Sequence, residues 1–417
     1  MSRPLSNYCT LKGGTGFPES LQGNQEGDVA FIKVSDMSLP GNQRTITVAN
    51  NYVDRVVAEQ LNASAFPPRS TVFAKVGAAL LLNRRRMLIE PTIIDNNMMA
   101  AVPTIADPEF LYHFLCSVDF ANYVQMGALP SINQSTIGQI PFPEFSLSQQ
   151  CRIAEILSTV DEAIEQTEAL IAKYQQIKAG LMHDLFTRGL TPDGHLRPTR
   201  AQAPHLYKES PLGWIPKEWK VMPLDEHVRI IDCKHYTPAF QTEGFPFIRP
   251  RNVKVDGLDL QGVDYVSAED FKTLTDVYQP RYGDIVFSRN ASFGVPCYID
   301  TDLQFAIGQD CVIMTAKASD ARFVFCALTN SITTAQIAKV SAGSTFGRIN
   351  LGEIRKLLIH HPEKEEEQRI AARFFACVDL SRKLIDELAK LRQQKQGLMH
   401  DLLTGRVRVK VGEPAST

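Results

Sequence analysis

The feature that most constrains this chain is a long internal repeat. GLMHDL stands at Gly180–Leu185 and again at Gly397–Leu402, an offset of 217 residues. The same offset pairs Arg152-Ile153-Ala154 with Arg369-Ile370-Ala371, Ala172-Lys173 with Ala389-Lys390, and Ile132-Asn133 with Ile349-Asn350. It also pairs Gln176 with Gln393, Lys178 with Lys395, and Thr187 with Thr404. A period of that length is far beyond a solenoid repeat. Each copy is therefore a whole domain with an appendage, and the 417 residues are two such units in tandem.

The appendage is predicted to be a helix. Ile153, Leu157, Val160, Ile164, Thr167, Ile171, Tyr174, Lys178, Leu181 and Leu185 step alternately by four and three. That is the 3.5-residue period of a coiled-coil seam. Adding the offset gives Ile370, Phe374, Cys377, Ser381, Leu384, Leu388, Leu391, Lys395, Leu398 and Leu402, so the second copy keeps the seam without a gap. A lysine recurs at the same seam position, where a polar residue fixes register at some cost in stability. At 1.5 Å per residue each seam runs about 50 Å. Two equal units that pack about a pseudo-twofold axis perpendicular to their helices must run those helices antiparallel.

A globular segment precedes each helix. The expected fold class is α+β: two mixed, strand-rich domains joined by two long helices in an antiparallel coiled coil. The expected boundaries are a first globular domain over 1–145, a first stem helix over 146–188 and a linker over 189–212. A second domain over 213–362 and a second stem helix over 363–406 follow. Short apolar runs such as Val29–Ile32, Thr71–Ala74 and Asp284–Phe287, bounded by glycine, proline and asparagine, read as strands. Local helices are expected around Glu109–Ser117 and Ala321–Leu328. Pro192, Pro198, Pro204 and Pro211 mark the linker as semi-extended. The tail Val407–Thr417 is expected to fray.

Composition removes several classes. With 44% hydrophobic and 22% charged residues the chain is too apolar and too evenly charged for disorder. It has no run of roughly 18 apolar residues for a membrane span, and its start lacks an apolar signal-peptide core. The eight cysteines are scattered without a CxxC pair, which fits free thiols in a reducing cytoplasm. The net charge of −2 gives no global sign of a nucleic-acid partner, so any such surface must be local.

The second half carries the openings Gly213-Trp214-Ile215-Pro216-Lys217-Glu218-Trp219 and Phe247-Ile248-Arg249-Pro250-Arg251-Asn252-Val253, then Gly283–Gly294. Glu367-Gln368-Arg369-Ile370-Ala371 enters the helix and Gly397–Gly405 leaves it. In these motifs and in their head–stem–head–stem order, the chain resembles the specificity (S) subunit of type I restriction-modification systems over essentially its whole length. The first half lacks the GWIP-type opening, and Ala74-Lys75-Val76-Gly77-Ala78 stands where the second has Ser288-Arg289-Asn290-Ala291-Ser292. The resemblance implies that each head is a target recognition domain reading one half of a split, asymmetric site in double-stranded DNA. It implies that the stems set the unread spacer and dock methyltransferase (modification) subunits, two per chain. A restriction subunit with translocase and nuclease activity can join. S-adenosylmethionine, ATP and Mg²⁺ belong to those partners, and this subunit is expected to hold no cofactor and no catalytic centre.

The residues agree with a non-enzymatic reading. No GxxxxGK[ST] loop is present, and Lys12-Gly13-Gly14-Thr15-Gly16 reads as a flexible turn. No amino-methyltransferase Asp/Asn-Pro-Pro-Tyr/Phe stretch occurs. His360-His361 ends an apolar strand beside Pro362 with no third ligand at useful spacing, so no metal is assigned. His183 and His400 recur within GLMHDL, which fits packing or docking. Glu363–Glu367 reads as a helix-start feature on a solvated face. DNA contacts are expected from Lys75, Arg84, Arg86 and Asn133 in the first head, with Asn83, Arg85, Gln125 and Gln134 as further possibilities. In the second head they are expected from Lys234, His235, Arg249, Arg251, Asn252, Arg289, Asn290, Arg348 and Asn350. Arginine can clamp guanine, asparagine and glutamine can pair with adenine, and lysine neutralises phosphate. Strand alternation should send the middle arginine of Arg84-Arg85-Arg86 to the opposite face. Ser344–Arg348 reads as a turn presenting Arg348. Two other function classes fit parts of this pattern: a coiled-coil adaptor that touches no DNA, and a diverged DNA methyltransferase or nuclease.

Overall fold

The computed structural model describes residues 3–124, 129–290, 294–342 and 348–410, the side chains of 341 and 342 excepted. It divides into two compact units, Met1–Ala169 with Asp386–Thr417, and Leu170–Ile385. Each unit holds one globular segment, the near half of one long helix and the far half of the other. The helices run Leu147–Thr187 and Lys364–Leu403. All of the seam positions named above are buried or half-buried, as a coiled-coil period requires. In unit 1 the helices run antiparallel: Asp161 meets Lys395, while Glu168, further along the first helix, meets Arg392, earlier in the second.

The recurrence of GLMHDL now has a physical cause. In unit 2, Met182, Leu185 and Phe186 from the end of the first helix enter a core with Trp219, Phe323 and Ile359. In unit 1, Leu402 and Leu403 from the end of the second helix enter a core with Phe110, Phe142 and Leu157. Each signature thus packs on the globular segment of the other repeat.

Both units are α+β and share a sheet plan. In unit 1 strand Cys9–Gly13 pairs with Met98–Pro103, then Thr71–Ala74, then Arg85–Leu88 and Thr45–Ile46. In unit 2 Val228–Asp232 pairs with Cys311–Ala316, then Ile285–Ser288, then Pro296–Tyr298. A three-stranded sheet lies beside each. Its central strand, Val29–Ile32 or Phe245–Ile248, has one antiparallel and one parallel neighbour. The expected local helices form as Pro108–Ser117 and Ala321–Thr329, each started by an aspartate whose carboxylate accepts backbone N–H bonds.

Three local expectations change. Lys12 and Gly13 end a strand rather than forming a flexible turn, and Gly14 lies so close to the Asp95 carbonyl that a Cβ would meet it at 2.1 Å. Glu366 and Glu367 are buried, at 5% and 1% exposure, and do not face solvent. The proline-marked connection after the first helix is pinned to unit 2. There Glu366 accepts from the Leu190 amide (2.7 Å), from Arg197 Nη1 and Nη2 (2.6 and 3.0 Å) and from Trp219 Nε1 (3.1 Å). The reason is the buried carboxylate, which must be fully hydrogen-bonded to leave water. Within the tail, the Val407 amide donates to the Asp401 carbonyl (3.1 Å), and residues 411–417 lie outside the described part.

Candidate nucleic-acid interface

The unit 2 sheet delivers a groove with an aromatic and apolar floor and converging arginine and amide groups at the ends of its strands. A cavity of about 390 Å³ is lined by Tyr236, Phe240, Arg249, Arg251, Asn290 and Gln309, among others. The chain reaches it from four places: the loop after Val228–Asp232, the turn after Phe245–Ile248, and the ends of Ile285–Ser288 and Ala306–Ile307. Arg249 lies over Phe240, its guanidinium carbon 4.4 Å from the ring centroid. Arg249 and Arg251 share Asp264, at 3.2 and 2.9 Å. Asp310 holds both Asn290 (3.3 Å) and Arg348 (2.8 Å). These carboxylates fix the side chains in place before any ligand arrives, so less rotamer entropy is lost when a base edge or phosphate replaces them.

Arg249, Arg251, Asn290 and Arg348 are therefore brought together, the first three on the groove and Arg348 through Asp310. Lys234 pairs with Asp276, and exposed His235 lies 3.8 Å from Asp232. Asn252 and Arg289 do not face the groove's solvent side. Asn252 is 2% exposed and its amide spans the Arg249 N–H and the Asp259 carbonyl. Arg289 is 5% exposed and donates to the Ile349 carbonyl (3.1 Å) and to Asp232 (2.9 Å). Asn350 is exposed but caps helix Leu351–Lys356. Ala291–Phe293 and residues 343–347 lie outside the described part, and with them the expected Ser344–Arg348 turn up to Arg348.

Unit 1 repeats several of these arrangements with other residues. The Ile132 amide donates to the Lys75 carbonyl, and the Ile349 amide to the Arg289 carbonyl, both at 3.0 Å. Lys75 and Arg289 are thus structural counterparts. Asp36 closes on the Lys33 amide as Asn252 does on that of Arg249. Asn133 caps helix Gln134–Gly138 as Asn350 caps its own, and it lines a cleft of about 590 Å³ with Gln134, Gln139 and Thr10. Exposed Arg84 donates to Ser38. Arg86 is spent on the carbonyls of Arg85 (2.7 Å) and Met37 (2.9 Å), and burial lowers its pKa. Arg85 points inward, 3.7 Å over the Phe120 ring, and burial lowers its pKa to about 10. Asn83 accepts from the Phe120 amide, and Gln125 lies outside the described residues.

Sequence reasoning missed Gln309, Tyr236 and Phe240 in the groove. Tyr236 follows Lys234-His235 directly, and that adjacency was the only available signal. Gln309 comes from a turn whose spatial neighbours are set by the sheet order.

Fold and groove define a class: two α+β units, each built on parts of two long helices, with arginine and amide groups gathered at a groove in the second. Residues 1–176 and 216–390 match the family described as "Type I restriction modification DNA specificity domain", and the chain belongs to that family. It is 25% identical over 292 residues to the type I restriction enzyme MjaVIII specificity subunit of Methanocaldococcus jannaschii, covering 68% of this chain and 65% of that one. To the putative MjaX specificity subunit of the same organism it is 27% identical over 316 residues, covering 73% and 69%. The chain thus spans about two thirds of the length of these curated relatives. Its fold is similar to the crystal structure of the type I restriction-modification S subunit from M. genitalium (TM-score 0.63, 14% identity, 97% and 96% of the chains covered). It is also similar to a structure described under complex assembly and conformational transition of the type I R-M system (TM-score 0.54, 17% identity, 98% of each chain).

Proposed function

We propose that this chain is the non-catalytic, sequence-reading subunit of a type I restriction-modification complex. Its globular segments, 1–145 and 213–362, each read one half of a split site in double-stranded DNA. The observation that carries this reading is the unit 2 groove, where Arg249, Arg251, Asn290 and Gln309 converge beside exposed Tyr236 and Phe240. Arginine and amide side chains are the groups that discriminate base edges, at about 1–3 kcal/mol for each good bidentate pair. In the first head, Lys75, Arg84, Arg86 and Asn133 are the proposed contributors. In the second they are Lys234, His235, Arg249, Arg251, Asn290, Arg348 and Asn350, with Asn252 and Arg289 holding the others in place.

The long helices, 146–188 and 363–406, set the unread spacer, with 189–212 as the connection. They also dock two methyltransferase subunits. Support comes from Leu170, Ile177, Leu380 and Ile385, apolar side chains that stay exposed off the seam. S-adenosylmethionine, ATP and Mg²⁺ act on the partner subunits, a restriction subunit can join them, and the assembly works in the cytoplasm. Among the described residues no helix is long and apolar enough to cross a membrane.

The test is to map methylated positions across host DNA with the native chain and with residues 213–362 exchanged for another head. One half-site should change and the other persist. A change in both would refute the one-head, one-half reading.

A further inference from the structure

Unit 2 contains a cluster, buried at His227 and Glu367 and half-buried at His361, that the reading of DNA does not use. His227 ends the short helix Leu224–His227, His361 ends strand Leu358–His361, and Glu367 lies in the first turn of the second long helix. One ligand-type atom from each lies within 4.8 Å of the other two. The rings of His227 and His361 are 5.0 Å apart and steeply inclined. His361 Nδ1 lies 3.6 Å from Glu367 Oε1.

The hydrogen bonds fix which nitrogen is available. The Ser319 hydroxyl donates to Glu367 Oε1 (2.8 Å), so its oxygen accepts from His227 Nδ1 at 2.7 Å. That assignment puts the His227 proton on Nδ1 and leaves a bare lone pair on Nε2. His227 is 1% exposed, and neither its Nε2 nor His361 Nδ1 has a hydrogen-bond partner among the described residues. A buried, unpaired acceptor is costly unless something fills the place.

The other repeat supplies an internal control. Gln150 stands 217 residues before Glu367. Its Oε1 accepts from the Asp107 amide at 3.0 Å, just as Glu367 Oε2 accepts from the Asp320 amide at 2.9 Å. A neutral amide therefore does the structural work of anchoring the helix-capping aspartate in unit 1. The carboxylate in unit 2 is not needed for that contact, and its second oxygen is turned toward two imidazoles.

We propose that His227 Nε2, His361 Nδ1 and Glu367 Oε1 form a site for a divalent transition cation of the zinc type, with a structural role. Two imidazoles and one carboxylate are a common donor set for such ions, and water completes the shell. Ligand atoms around tetrahedral zinc stand roughly 3.3 Å apart, and one donor atom from each of the three residues already lies within 4.8 Å of the other two. The Ser319 bond to His227 is the outer-shell contact that orients such a ligand. The ion would tie the end of a sheet strand to the start of the second long helix, clamping that helix to its own globular segment. Lys220, paired with His361 across the strands, and Lys364, close to Glu367, are cations set against the ion by their position.

The test uses the full chain without a histidine tag, exposed to Zn²⁺ and then dialysed. About one zinc per chain is expected by elemental analysis, with a rise in Tm that a chelator reverses. Substitution with Co²⁺ should give the visible absorption of low-coordinate cobalt. His361→Ala and Glu367→Gln should each weaken zinc affinity at least about tenfold. Glu367→Gln keeps the anchor used by Gln150 and so separates metal loss from misfolding. Sub-stoichiometric zinc, or zinc retained equally by both variants, would overturn the site and leave an adventitious ion only.

Discussion

Lys395 on the second long helix forms an ion pair with Asp161 on the first, and Asp161 is only 5% exposed. Arg44 Nε and His113 Nδ1 both lie 3.8 Å from the same carboxylate. The repeat-related Lys178 stands instead over an aromatic ring, its ammonium 5.3 Å from the Phe374 centroid in unit 2. One seam position thus carries a strong pair in one unit and a weak cation–π contact in the other. Lys395→Met should destabilise unit 1 by roughly 2–3 kcal/mol, because it strips the closest partner from a buried charge while Arg44 remains. Lys178→Met should cost under about 1 kcal/mol. Urea unfolding of both variants checks this, and equal losses would contradict it.

His113 makes unit 1 sensitive to acid. Burial, then repulsion from Lys395 and Arg44, lowers its pKa from 6.5 to about 3. The unfolded chain therefore takes up this proton first as pH falls. Stability attributable to His113 is full above 6.5 and is lost between there and about 3, at up to about 1.4 kcal/mol per pH unit. His113 Nε2 lies 3.2 Å from Ser158 Oγ, a contact an amide can keep, and His113→Gln should flatten the pH dependence of unfolding across that window. An unchanged slope would mean another group carries it.

Glu366 pins the connection between the repeats. Glu366→Ala removes four accepted hydrogen bonds and leaves Arg197 buried without its anion, at a cost of about 3–5 kcal/mol to unit 2. Trp219, fully buried, donates one of those bonds. In a Trp214→Phe background its fluorescence should shift to the red in the variant, and an unshifted spectrum would place the bond elsewhere.

DNA readout should separate by residue type. In the assembled complex, Arg249→Ala should relax base choice in one half-site by about 1–3 kcal/mol. Lys234→Ala should weaken all sequences alike and lower the salt slope by about one. Competition binding at several salt concentrations measures both; a sequence-specific effect of Lys234→Ala would reverse the assignment.

Ile177→Asp and Leu380→Asp place charges on the exposed apolar flank of the helices. Both should leave unit 2 folded yet reduce co-purification of methyltransferase subunits at least about tenfold, as expected for an interface hot spot. Full recovery of the complex would move the docking surface off these helices.

The tandem repeat, the two long helices and their seam, and the local strands and helices were all legible from residue order alone. Each is written as a periodicity or a local signal: the 217-residue offset, the 3.5-residue step, and short apolar runs bounded by glycine, proline and asparagine. Residue order also told Arg85 from its neighbours, because strand alternation is local. Only tertiary structure decided which polar side chains are available. Asn252 and Arg289 resemble surface contacts in sequence, yet sheet order buries them against Asp259, Ile349 and Asp232. His360 and His361 are adjacent in sequence but go opposite ways. His360 packs against Trp219 and Phe186, while His361 faces Glu367 and His227. The groove joins residues from Tyr236 to Asp310 for the same reason. Burial and convergence are set by contacts between distant segments, and no local pattern encodes those.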